Sequence, residues 1–332
     1  MSRRTPLAPL ALAATLQMAS PAFAQMLQDP ALESLYRAER WDELQRVAST
    51  RLATQPDDAQ AVLGVAVVAL SRDDAAGRKA AIQRAEACVE KQPRAAPCQY
   101  ALGVVLGIQA MSEGMWKAAR SAGTVRDALQ AANEIDPAWY PARSALSEFY
   151  LMLPAMMGGS NAKALELARS APRPEQTRVL EARALAADKK YDAAVQAFAS
   201  LPAIAEPELA DDARGWASQC VLAMAAQGQG AKAQPLAEKL VRDHPRHAQP
   251  TYALARVKAE AGAHEEALKL YAQAATLKGA DGLPLGWRVG ISQQQLGQKE
   301  AARATFSRFV AAGKGPKNAI EDAKKRLGEL GS

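Results

Sequence analysis

Residues 251–274 read TYALARVKAEAGAHEEALKLYAQA, two amphipathic segments separated by a glycine. Apolar side chains recur three and four residues apart on both sides of Gly262, which is the spacing of a helix face. Gly262 suits the positive φ that a chain reversal requires. Ala267, Tyr271 and Ala274 follow at intervals of four and three, so a small residue opens the second segment and a larger one lies a helical turn later. The stretch predicts a helical hairpin.

The same spacing recurs along the chain. The residues that open these sets are Leu44, Ala81, Val125, Ala164, Ala194, Ala233, Ala267 and Ala302. Their separations of 30 to 44 residues equal one helical hairpin with occasional insertions. Cys88 and Leu240 end two of the sets, and a proline (Pro93 or Pro245) follows each five residues later. Because proline cannot continue a helix, these positions predict helix ends.

This pattern resembles the tetratricopeptide repeat, a helix–turn–helix unit of about 34 residues. The positions that match it best are Leu254, Ala255, Gly262, Ala267, Tyr271 and Ala274. The resemblance covers residues 29 to 314 and implies an all-α fold, a right-handed α-solenoid of about eight hairpins. Residues 318–330 are amphipathic and are expected to form a C-terminal capping helix. A coiled coil is disfavoured because glycine and proline interrupt the pattern.

The first 24 residues are predicted to be a cleaved signal peptide. Arg3 and Arg4 precede an apolar run over residues 7–16, and Ala22-Phe23-Ala24 supplies the small residues of a cleavage site. Cleavage between Ala24 and Gln25 leaves residues 25–314 as the solenoid and 315–332 as the capping helix and tail. The run is too short for a permanent anchor, so we expect no membrane span in the mature chain.

The signal predicts a periplasmic protein exported by the Sec route. A twin-arginine route through Ser2-Arg3-Arg4 stays open, although Thr5-Pro6 continues that motif poorly. The net charge of +6 falls to +4 once the two signal arginines are removed, and the remaining charges of both signs are mixed along the chain with no basic block. Nucleic-acid binders concentrate cations on one stripe, so we expect no nucleic-acid partner.

Gly158-Gly159-Ser160 raises the question of a phosphate loop. The spacing of a Walker motif is absent, and the preceding segment is a helix pattern rather than a strand. We expect a turn, with Pro154 ending one helix and Ser160 capping the next. Whether the turn also holds an anion near Lys163 stays open.

A second resemblance includes this turn. The blocks that carry it are Gly114-Met115-Trp116-Lys117-Ala118-Ala119, Asp136-Pro137, Phe149-Tyr150-Leu151 and Gly158-Gly159-Ser160 with Lys163-Ala164. They are similar to a block in exported bacterial tetratricopeptide proteins, which implies a periplasmic repeat protein and carries no assigned reaction. This chain has Ala155-Met156-Met157 where those proteins have a glycine after the proline.

Few residues suggest chemistry. Cys88 and Cys98 lie symmetrically about Pro93, which favours a disulfide in an oxidising compartment, although two small core residues that never meet would give the same pattern. Cys220 is expected to be a buried apolar filler. The three histidines have no cysteine or carboxylate pattern around them that would make a metal site. We expect no catalytic residues, no cofactor and no metal, and therefore no enzyme.

The expected function is protein binding. The resemblance implies that certain first-helix positions line a concave groove: Tyr100, Glu148, Arg183, Tyr252, Arg256, Trp287, Gln294 and Gln295. Arg183 and Arg256 would suit a carboxylate of a partner protein or peptide, unless they pair with nearby glutamates while Tyr252 packs between helices. A periplasmic transport accessory that binds a small ligand is the alternative, and it would need an enclosed apolar pocket.

A secondary contact is predicted at Trp116, Lys117 and Arg120, in the longest insertion. An aromatic ring with two cations could hold an anionic group or an aromatic partner. The ordinary interpretation is that the tryptophan covers its own insertion while the cations remain solvated.

Overall fold

Seventeen α-helices follow one another in the computed structural model, which describes residues 25–331, and no β-strand occurs among those residues. The first helices of the hairpins are α1 (Pro30–Arg37), α3 (Ala59–Ser71), α5 (Ala96–Ser112), α7 (Tyr140–Met152), α9 (Pro174–Ala187), α11 (Pro207–Ala226), α13 (Ala248–Glu260) and α15 (Leu285–Gln295). The second helices are α2 (Trp41–Thr54), α4 (Ala75–Lys91), α6 (Met115–Ile135), α8 (Asn161–Arg169), α10 (Tyr191–Ala199), α12 (Gly230–Asp243), α14 (His264–Ala274) and α16 (Lys299–Ala312), and α17 (Lys317–Gly331) follows them. The predicted all-α solenoid of eight hairpins and a final helix is confirmed. The predicted signal peptide lies outside the described residues.

The spacing pattern has a direct packing cause. All eight opening residues are buried, and in the third and eighth hairpins the side chain four positions later covers a glycine of the first helix. A Cβ at Gly290 would lie 2.5 Å from Phe306, and one at Gly103 would lie 2.7 Å from Leu129. Because even one methyl group would collide there, glycine lets the two helices of the hairpin approach closely.

The Gly158-Gly159-Ser160 stretch is a turn, as the spacing predicts. Gly158 has a φ of 97°, and a Cβ at Gly159 would lie 1.7 Å from the carbonyl oxygen of Leu153. The Ser160 hydroxyl caps α8 by accepting a hydrogen bond of 3.3 Å from the amide of Lys163. The stretch therefore reverses the chain and starts a helix.

The expectation of an insertion around Trp116 in the third hairpin is wrong. The extra residues around Trp116 form no separate insertion but lengthen α5 to 17 and α6 to 21 residues. The additional length lies at the turn between the two helices, because Val125 follows Gly114 by eleven residues whereas Ala267 follows Gly262 by five. This hairpin therefore extends beyond the seventh hairpin at that edge.

Cys88 and Cys98 form a disulfide that joins the end of α4 to the start of α5. Their Cα atoms lie 5.8 Å apart, which is an ordinary separation for bonded cysteines. Cys220 is buried in α11 without a partner cysteine, and burial raises the pKa of its thiol to about 12. The bonded pair fixes the connection between the second and third hairpins.

Loss of this bond should destabilise the protein by about 2–3 kcal/mol, because a loop of this size would regain its entropy in the unfolded chain. Urea unfolding of the Cys88→Ala/Cys98→Ala variant against the oxidised protein measures the change. Non-reducing peptide mapping should link Cys88 to Cys98 and leave Cys220 free. Alkylation of all three thiols without reductant would contradict the pairing.

Candidate functional site

The first helices of the hairpins face a common interior, which we call the inner face. Burial raises the pKa of the Tyr100 phenol in α5, and the charges of Tyr36, Glu208 and Glu148 raise it further. Those three residues belong to α1, α11 and α7, so first helices that are distant in sequence lie near the Tyr100 side chain. Tyr100 is buried, while Glu148 is exposed.

A buried ionic network centred on Arg183 crosses three first helices. The Arg183 guanidinium, which is 0% exposed, donates to the Asp212 carboxylate at 2.6 Å and to the Ser144 hydroxyl at 2.7 Å. The Tyr140 hydroxyl also donates to Asp212, and the guanidinium carbon lies 5.2 Å from the centroid of the Trp216 ring. Burial would lower the pKa of Arg183, but Asp212 and Tyr140 outweigh it and raise the pKa. Arg183 thus pairs with an aspartate inside the protein and is not presented to a partner.

A second ionic contact, which we call the clasp, joins the first hairpin to the sixth. Arg37 at the end of α1 donates to Glu208 near the start of α11 at 2.5 Å and lies 3.8 Å from Asp211. Glu33 holds the same guanidinium from within α1 at 2.8 Å. Since 171 residues separate Arg37 from Glu208, the clasp connects two ends of a long stretch of solenoid across the inner face.

The clasp has a further contact at the seventh hairpin. The Lys278 ammonium lies 2.5 Å from the Glu39 carboxylate in the turn after α1. Lys278 is held in place by backbone hydrogen bonds, because its carbonyl accepts from Ala248 and its amide donates to Arg246. The first hairpin is therefore tied to both the sixth and the seventh hairpins.

The C-terminal part of the inner face contains an arginine without an ionic partner. Arg256 on α13 is only 8% exposed, its Nε has no hydrogen-bond partner, and no carboxylate of the described residues forms an ion pair with it. Burial raises the pKa of Tyr252 to about 12, and the nearby Arg256 charge limits the rise. The ring centroids of Tyr252 and Tyr271 lie 5.8 Å apart, and the Tyr271 hydroxyl is buried without a partner. Arg256 and Tyr271 therefore have unused hydrogen-bonding capacity.

The last predicted groove residues contact the final helix. The Trp287 indole donates to Asp322 of α17 at 2.7 Å, and Arg326 of α17 donates to the Gln294 side chain at 2.8 Å. Gln295 is exposed at the end of α15. Two of the side chains that were expected to contact a partner, Trp287 and Gln294, are therefore hydrogen-bonded to α17.

The predicted secondary contact lies at the start of α6. Trp116 is 89% exposed, and Lys117 and Arg120 are exposed beside it. The expectation that this tryptophan covers an insertion is wrong, because the added residues are helical and the ring packs on none of them closely enough to be buried.

Among the half-open cavities of the described residues, two have several apolar side chains in their walls. One of about 250 Å³ lies between α10, α11 and α12, and its lining includes Phe198, Leu201, Leu236 and His244. Another of about 330 Å³ lies where Met26 meets α3 and α5. No group of three histidine, cysteine or acidic side chains suited to a metal ion occurs among residues 25–331. None of the helices there combines the length and the hydropathy that crossing a bilayer requires.

The inner-face partners of Arg183 were not predicted. Tyr140, Ser144 and Asp212 complete the network, and Asp212 looks from the sequence like a carboxylate near a helix start. Asp212 lies on the first helix of the hairpin that follows the hairpin of Arg183, and this placement could have indicated the ion pair. Nothing in the sequence indicates that Arg37 reaches Glu208.

Comparisons with known proteins show a likeness to solved structures. No protein-family model and no curated protein matches the chain. A crystal structure of a tetratricopeptide repeat protein from Parabacteroides merdae is similar to it, at 14% sequence identity and a TM-score of 0.48, over 82% of this chain and 99% of that one. The assignment of an α-solenoid rests on the seventeen helices themselves.

Proposed function

We propose that the protein is a periplasmic binding scaffold that holds a peptide or loop of a partner protein against its inner face. An α-solenoid presents a long surface built from many similar helices, and such surfaces suit extended partners. The observation that carries the proposal is Arg256, a largely buried cation with no carboxylate of its own. Leaving such a cation unpaired costs free energy that a bound anion would offset.

The partner group that fits Arg256 is a carboxylate. A guanidinium binds a carboxylate through two parallel N–H···O bonds, and such charged bonds are about twice as strong as neutral ones. The site therefore suits an acidic side chain or a free C-terminus, flanked by residues that pack on Tyr252.

The test is selection of peptides from a random phage-displayed library by the full mature chain, followed by fluorescence anisotropy of the enriched peptides. We expect enrichment of acidic residues or free carboxyl termini. Arg256→Ala should weaken binding at least roughly fivefold, or about 1 kcal/mol. Arg256→Lys should recover only part of the loss, because an ammonium cannot form the paired bonds.

The matched control is Lys269→Ala, which removes an exposed cation from the outer helix α14. It should leave affinity unchanged, and circular dichroism should show the same helical content in all variants. Equal binding by Arg256→Ala and the wild type would contradict the proposal. Native mass spectrometry that finds a retained small molecule would favour the small-ligand alternative, for which the two half-open cavities are the places to look.

Export belongs to this proposal and rests on the sequence of residues 1–24. The peptide map of protein from its native host should begin at Gln25. A soluble form that retains Met1 throughout would contradict export.

A further inference from the structure

Large hydrophobic side chains are exposed at one edge of the solenoid. Among the described residues, the exposed members are Ile108, Met111, Met115, Trp116, Met152 and Met156. Four of them bracket the turn of the third hairpin, and two lie at the turn of the fourth. The two turns belong to successive hairpins, and the 3₁₀ turn Ala155–Met157 contacts α6. We call this set the docking edge.

The docking edge projects from the solenoid. α5 is four residues longer than either neighbouring first helix, α3 or α7, which corresponds to about 6 Å of helix. The added length lies at the turn, and Trp116 and Met115 stand at the tip of this extension. Their exposure, 89% for Trp116, is therefore a consequence of helices that outgrow their neighbours. With the other residues of the range 25–331, the Trp116 side chain forms no hydrogen bond or aromatic ring contact.

The projecting tip is held by a buried polar chain. Arg78 of α4 donates to the Gln109 side chain at 2.9 Å, and Gln109 donates to Glu113 at 2.6 Å. Arg78 and Gln109 are both buried. These hydrogen bonds fix the end of the hairpin that carries the exposed apolar side chains. A concentrated patch of exposed apolar surface usually marks an interaction site.

Cations flank the apolar residues. Lys117 and Arg120 follow Trp116 on α6, Lys163 starts α8, and all three are exposed. The hydrogen bond from Gln109 lowers the pKa of Glu113, and Lys117 and Lys79 lower it further, which places both lysines near the turn. Four cations, Lys79, Lys117, Arg120 and Lys163, therefore lie at or near these two turns, where the Glu113 carboxylate is already hydrogen-bonded.

We propose that the docking edge binds the surface of an anionic lipid membrane. A tryptophan with aliphatic and thioether side chains suits the region between headgroups and acyl chains, and flanking lysines and arginines attract anionic headgroups. The surface is a projecting tip. It can enter a yielding bilayer interface directly, whereas a folded protein would have to supply a matching cavity.

The test is cosedimentation of the full mature chain with vesicles of phosphatidylglycerol and phosphatidylcholine, against vesicles of phosphatidylcholine alone. Binding should require the anionic lipid and should weaken as salt is raised. Met115→Ser/Trp116→Ser should reduce binding at least tenfold, and Lys117→Glu/Arg120→Glu should do the same. Because the other tryptophans are buried or half-buried, the fluorescence of Trp116 should shift to the blue on binding.

The matched control is Lys269→Glu/Lys299→Glu, the same charge reversal on exposed residues of the outer helices α14 and α16. It should bind nearly as well as the wild type. Equal loss in this control, or no binding to anionic vesicles, would overturn the proposal. So would concentration-dependent self-association that Trp116→Ser abolishes, since the edge would then join copies of the chain. Arg256→Ala should bind vesicles normally, so this result is independent of peptide capture.

Discussion

Arg183→Ala should lower the free energy of unfolding by about 3–5 kcal/mol, because it leaves the Asp212 carboxylate largely buried without its cation. The guanidinium is fully buried and joins α9 to α7 and α11 at once. Its removal would also open a space beside Trp216. Urea unfolding measures the loss, and hydrogen exchange should show it first in the amides of α9 and α11.

A double-mutant cycle separates the ionic part from packing. Asp212→Asn alone should destabilise, because it strands the Arg183 charge, whereas Arg183→Met/Asp212→Asn should be more stable than Arg183→Met, which leaves the Asp212 charge without its cation. The Tyr140 and Ser144 hydroxyls can still bond to an amide at position 212. A loss below about 1 kcal/mol for Arg183→Ala would show that the network is not a stabilising element.

The hairpins could be predicted because their packing rule is local. Each opening residue and the residue four later share one helix face, so a spacing in the sequence reports a contact between adjacent helices. Gly290 under Phe306 and Gly103 under Leu129 show that contact directly. Helix number, pairing and the final helix followed from it.

Whether the inner face is open could not be predicted. It depends on small rotations between successive hairpins, which add up until α1 meets α11. No spacing rule refers to a contact such as Arg37–Glu208. For the same reason, the expectation of a continuous groove did not foresee that Arg183 would be buried in an ion pair or that α17 would hold Trp287.

Some regions of the protein therefore complete their interactions within the fold, and others leave charged or apolar side chains without a partner. The N-terminal part of the inner face pairs its charges internally, through Arg183–Asp212 and Arg37–Glu208. The C-terminal part leaves Arg256 unpaired, and the turn edge of the third and fourth hairpins leaves apolar side chains uncovered. These two regions are where an outside molecule can add interactions that the fold itself does not make.

The stability of the clasp should depend on pH through Glu208. Burial raises the pKa of this carboxyl from 4.5 to about 7, although Arg37 opposes the rise. Between these values the folded protein binds a proton that the unfolded chain does not. The contribution of Glu208 to stability is therefore greatest below about pH 4.5 and is lost as the pH rises through 7, by at most about 3 kcal/mol.

Glu208→Gln is the test, because an amide keeps an acceptor for Arg37 but does not titrate. The variant should gain stability relative to the wild type as the pH rises from 5 to 8, measured by urea unfolding at each pH. His244 and His247 titrate in the same range with pKa values lowered by burial, so they destabilise both proteins equally as the pH falls, and the difference curve removes them. In the Arg37→Met variant, the midpoint of the pH dependence should lie at higher pH than in the wild type, because the cation that lowers the pKa of Glu208 is absent. Parallel curves for Glu208→Gln and the wild type would mean that the carboxylate is solvated and that the clasp is open in solution.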